Sequence, residues 1–151
     1  MKLSENFELH ELIKSQIAER KGISNNPSTD QINNLKDLCL NVLQPIRSHF
    51  DSPVVISSGY RSPELCVAIG SKPTSQHSEG KAADIEIMNI DNKELAMWIK
   101  DNIEFDQLIL EFYKEGDPNS GWVHVSYNGD KNRKQFLVAT REDEKVIYRP
   151  A

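Results

Sequence analysis

Residues 82–88, AADIEIM, and 121–127, GWVHVSY, alternate their side chains with a period of two. That period sends successive side chains to opposite faces of a strand. Ala83, Ile85 and Ile87 then share one face and Asp84 and Glu86 the other, while Val123, Val125 and Tyr127 oppose Trp122, His124 and Ser126. One face of such a sheet is core, and the other can line a cleft.

Helical spacing governs the first half of the chain. Leu9, Leu12, Ile13 and Ile17 recur at helical intervals within 7–22 and Gly22 is a natural stop, which predicts one amphipathic helix. A second is predicted from Ser28 or Thr29, where a hydroxyl can cap free amides, to Phe50; it buries Ile32, Leu35, Leu38, Val42 and Ile46, and Pro45 bends or splits it late. PVVIS at 53–57 is short and β-branched and predicts a strand. Ser62 and Pro63 start a helix closed by Gly70, and Asp91 with Glu94 resembles a capping box opening a helix that buries Leu95, Trp98 and Ile99. Strands are predicted at 105–112 and 121–127, joined as a hairpin by KEGDPNS, and again at 135–139 and 145–148. Helices in the N-terminal half and mainly antiparallel strands after them predict an α+β fold, with residues 1–151 as one domain.

Composition removes several classes of function. A formal net charge of −5 with scattered Lys and Arg argues against a nucleic-acid partner. No segment approaches the run of about 18 apolar residues that spans a bilayer, so no membrane insertion is expected. The opening MKLSENFELHELIK interrupts its apolar residues with Glu, His and Lys, unlike a secretory signal; a cytoplasmic location as synthesised is expected, and a target outside the membrane would require release by another agent. Cys39 and Cys66 sit among apolar residues without CxxC spacing and read as core residues.

A catalytic zinc takes three ligands from His, Asp, Glu or Cys and leaves a fourth position open. His10 and His49 fall on predicted helices and read as surface or boundary residues. His77 enters the strand that carries Asp84, and His124 has the polar face of its own strand, so the three can converge if those strands are neighbours. Gly80 allows the sharp turn between His77 and Asp84. On spacing alone, a polar loop running into a buried strand competes with this reading. Glu111 is the candidate general base, sharing a face with Gln107 and Ile109, and its other reading is an exposed hairpin glutamate paired with Lys; Glu79 and Glu86 are weaker rivals. Arg61 follows a glycine turn from which a guanidinium could grip a carboxylate or simply lie at the surface, and Tyr60 is packing or substrate wall. HExxH, GxxxxGK[ST] and GxSxG motifs are absent.

SQHSEGKAAD, residues 75–84, resembles the SxHxxGxAxD signature of the zinc peptidases that include D-Ala-D-Ala carboxypeptidases and phage L-alanyl-D-glutamate endopeptidases, and WVH at 122–124 resembles their closing histidine. The opening LSENFELHELIKSQIAERKGISN and the SSGYRSPEL before the motif look like small phage and prophage members. The resemblance implies a hedgehog/D,D-peptidase-like fold, one zinc ion on His77, Asp84 and His124, and Arg61 and Ser75 on polar ends of a peptidoglycan stem peptide. Many relatives carry a carboxylate three residues before the last histidine, where this chain has Gly121. The hedgehog signalling domain is similar in fold and places a glutamate at the end of a strand resembling FDQLILE, which supports Glu111.

The expected function is hydrolysis of an amide in bacterial peptidoglycan, by a monomer acting in phage or prophage lysis after holin-type release. Two other readings stay open: a zinc-binding recognition module without catalysis, and a virion-associated structural protein.

Overall fold

The computed structural model describes residues 1–151 and opens on a short hairpin, β1 (Lys2–Ser4) against β2 (Phe7–Glu8). The single helix expected over 7–22 is instead two, α1 (Leu9–Ile13) and α2 (Gln16–Lys21). Local chemistry breaks it. Lys14 leaves the helical region at φ −65°, ψ 141°, the Ser15 hydroxyl accepts from the Ala18 amide and caps α2, and Asn25 Nδ2 donates to the Ile13 carbonyl at 2.7 Å.

Ser28 caps α3 (Thr29–Leu38) in a reciprocal box with Gln31. The chain then runs through a wide π turn (Cys39–Leu43) into α4 (Gln44–Phe50). Pro45 offers no amide hydrogen and crowds the carbonyl four residues back, and the wider turn accommodates it without ending the helix.

The rest of the chain comprises β3 (Val54–Ser58), α5 (Pro63–Ala68), β4 (Ala82–Ile87), α6 (Asn92–Asn102), β5 (Gln107–Glu111), β6 (Trp122–Ser126), β7 (Gln135–Glu142) and β8 (Lys145–Pro150). Six of the strands form one sheet in the order β3-β4-β6-β5-β7-β8, antiparallel except where β7 runs parallel to β5. The fold is thus α+β with a mainly antiparallel sheet. Ile85, Ile87, Val123, Val125, Leu108 and Leu110 pack against Leu35, Leu38, Val42, Leu43 and Ile46 of the long helix and Leu95 and Ile99 of α6. Burying each such side chain contributes about 1.5–3 kcal/mol, which fixes register: a one-residue slip would turn a whole strand inside out. Cys39 and Cys66 are buried and unpaired, and no helix is long and apolar enough to cross a membrane.

One buried carboxylate ties the sheet to the loop before β4. Asp106, 1% exposed, accepts from Gln76 Nε2 at 2.8 Å and from the Arg133 amide, Nε and Nη2, each at 2.9 Å. The hydrogen bonds from Arg133 outweigh burial and hold the Asp106 carboxyl down at about 2 from an ordinary 3.8. A carboxylate depressed on folding stabilises the protein fully above its unfolded pKa, and that contribution is lost as pH falls through the folded one. Because Arg133 is half exposed, the contribution is about 1–2 kcal/mol at neutral pH. Urea unfolding of Asp106→Asn should give a lower midpoint than wild type at pH 7, and the gap should close between pH 4 and pH 2.

Candidate metal centre

The site begins with strand register. Asp84 and His124 lie directly opposite each other across β4 and β6, so both side chains leave the same face, away from the helices. His77 arrives from a tight helical turn, Gln76–Glu79, entered through the Ser75 hydroxyl, which accepts from the His77 amide at 3.1 Å. The turn ends at Gly80, whose φ is +76° and where a Cβ would meet the Gln31 carbonyl at 2.5 Å, so a residue with a side chain does not fit there. From α3, Gln31 and Asn34 donate to the Ser78 and Glu79 carbonyls at 3.2 and 2.9 Å. Their i, i+3 spacing was the one sequence signal that α3 clamps this loop.

His77 is 2% exposed, and its Nδ1 lies 2.7 Å from the Gly59 carbonyl. That carbonyl accepts a hydrogen bond from Nδ1–H and leaves Nε2 with a free lone pair, the arrangement typical of a metal-bound histidine. Nε2 is 3.5 Å from Asp84 Oδ1, His124 Nδ1 is 3.0 Å from the same oxygen, and the three donor atoms lie within 4.8 Å of one another. Tetrahedral ligands about 2.0–2.1 Å from a zinc stand about 3.3 Å apart, so two nitrogens and one carboxylate oxygen at these separations fit such an ion with little movement.

The charge states suit the same purpose. Burial would raise the Asp84 carboxyl, yet the two histidines beside it, His124 first, outweigh burial and keep the group ionised. Burial pushes His77 down, only partly offset by Asp84, which keeps the ring neutral. Neutral imidazole and ionised carboxylate are the ligating forms.

Glu111 ends β5 opposite Trp122, two pairs along from the Ile109–His124 pair and therefore on the same face. Burial raises its carboxyl above the ordinary range and the Asp84 charge raises it further, while His124, the Trp122 indole and Arg61 pull it down. The indole N–H faces this carboxylate and remains unpartnered. Arg61 has a buried Nε without a partner, and its amide donates to the His77 carbonyl at 3.1 Å. It lines a cavity of about 700 Å³ with Lys14, Arg20, Ser57 and Ser58. The donor triad is not part of that cavity; Arg61 and Ser58, which is paired with Asp84, connect the two.

The other candidates are placed elsewhere. Of the two roles open to Tyr60, the structure gives packing, since it is 3% exposed within the core cluster. The Ser75 hydroxyl caps the His77 turn. Glu79 pairs with Lys81 Nζ at 3.4 Å, and Glu86 accepts from Asn92 Nδ2 at 3.2 Å. His10 faces Glu8 at the surface, and His49 stacks on Trp98 with centroids 4.2 Å apart.

Gly121 explains why no carboxylate stands three residues before His124. Its φ is +64°, and a Cβ there would collide with the Glu111 carbonyl and crowd the Phe112 backbone. Gly121→Ala should therefore cost about 2 kcal/mol or more, read as a lower urea midpoint.

Donor side chains gathered on one sheet face, with a carboxylate of raised proton affinity on the same face, form a candidate metal centre. The family model described as Peptidase M15 matches residues 5–126, and the chain belongs to that family and is a peptidase. No curated protein matches the chain.

Proposed function

We propose that the protein is a zinc-dependent peptidase that hydrolyses an amide in the peptide part of bacterial peptidoglycan, working as a single-domain monomer in phage or prophage lysis after holin-type release. The observation that carries the reading is the gathered His77, Asp84 and His124 triad, with Glu111 on the same sheet face. The peptidoglycan assignment is supported by the SxHxxGxAxD resemblance and by an unpartnered Arg61 suited to a peptide carboxylate.

Zinc, when bound, supplies Lewis acidity that polarises a carbonyl and acidifies water. His77, Asp84 and His124 would hold it, three ligands being the number that leaves a fourth position for water. Glu111 accepts a proton from the attacking water and returns it to the amine as the C–N bond breaks, so each cut consumes one water and leaves a carboxylic acid and an amine. Its raised proton affinity suits both transfers. Arg61 receives the developing oxyanion or anchors a carboxylate of the stem peptide.

The zinc-loaded protein should clear a suspension of purified sacculi, stop when a chelator strips the metal and resume when zinc is restored. Clearing that survives complete removal of metal would overturn zinc dependence.

A further inference from the structure

The family match ends at Ser126, before β7 and β8 begin. Those strands nevertheless extend the sheet that carries the metal centre. Trp122 pairs with Glu111, Glu111 with Ala139, and Ala139 with Tyr148, so one row crosses β6, β5, β7 and β8 with its four side chains on one face. Strands about 4.8 Å apart put Tyr148 two spacings, roughly 10 Å of backbone, from Glu111. Between them the row carries only the methyl of Ala139, so no long side chain of that row separates the phenol from the carboxylate.

Tyr148 is half exposed on an edge strand. Burial and then the charges of Glu111 and Asp84 raise its phenol, so the ring senses the catalytic face and stays neutral; no side-chain hydrogen bond contributes. A neutral O–H that no protein side chain engages is a donor available to a ligand.

Resting on the peptidase reading above, we propose that Tyr148 is a substrate-contacting residue that donates a hydrogen bond to a carbonyl or carboxylate oxygen of the peptide lying over β5 and β7. The β7–β8 hairpin then forms the wall of the cleft on Glu111's side of the metal centre. Its contribution is to hold the bound peptide, through a contact made equally in ground and transition states.

The test is steady-state kinetics of zinc-loaded wild type and Tyr148→Phe on a soluble muropeptide, with zinc content and urea midpoint measured on both. The expected result is a KM about tenfold higher with kcat within about threefold, and unchanged zinc content and midpoint. Arg149→Ala alters the next residue, which turns to the other face and pairs with Glu142 at 2.8 and 3.1 Å, and should leave kinetics at wild-type values. A Tyr148→Phe enzyme within twofold of wild type in KM, or one that loses only kcat or only stability, overturns the contact. A wild type that cleaves no muropeptide overturns the peptidoglycan reading itself, and the contact with it.

Discussion

Glu111→Gln is expected to keep its zinc and to hydrolyse peptidoglycan about 10²- to 10⁴-fold more slowly, the range that a positioned general base contributes. The substitution preserves shape and removes only the ability to take a proton. Glu111 is not one of the three grouped donors, so metal content should match wild type. Two observations single it out over other carboxylates. Its register places it on the His124 face, and the position that would otherwise carry the base is Gly121, where a Cβ would collide with the Glu111 carbonyl. Glu79 and Glu86 already have partners in Lys81 and Asn92, so Gln in place of either should leave hydrolysis within a few-fold of wild type. Metal analysis beside a hydrolysis assay checks each variant.

Asp84→Ala should lose both metal and hydrolysis. Asp84 supplies the only carboxylate of the three and is the atom both histidines approach, at 3.0 and 3.5 Å. Without it two imidazoles remain, too few ligands for a zinc site. Stability gives a readout independent of activity. A ligand that binds only the folded state stabilises it by about 4 kcal/mol at a thousand times its Kd, so zinc should raise the wild-type urea midpoint. The same addition should leave the Asp84→Ala midpoint where it was. A zinc-dependent rise in that variant would place the metal elsewhere.

Much of this centre was legible because its geometry is carried by short-range patterns. Alternation in AADIEIM and GWVHVSY assigned Asp84 and His124 to polar faces, and pairing of β4 with β6 was the one further condition required. Gly80 marked the turn that brings in His77, and its φ of +76° accounts for the choice of residue. Features that depend on distant partners were harder to read. The break at Ser15 rests on a hydroxyl and on Asn25, neither of which disturbs the helical spacing of Leu12 and Ile17. Tyr60 could line a cleft or fill the core, and only packing decides. Tyr148 sat in a predicted strand, but its facing follows from β7 running parallel to β5, a long-range pairing that alternation within KVIY does not encode. The Asp106 network joins residues 76, 106 and 133, too far apart in sequence to suggest one another.

The most direct test of zinc-dependent peptidoglycan hydrolysis is mass spectrometry of muropeptides after digestion with the zinc-loaded wild-type protein. The expected products carry one added water per cut amide: free D-Ala if the enzyme trims the end of the stem peptide, or a cut between L-Ala and D-Glu if it opens the stem within. Intact muropeptides beside a stoichiometrically zinc-loaded protein would contradict it, and would leave a metal-binding recognition module in its place.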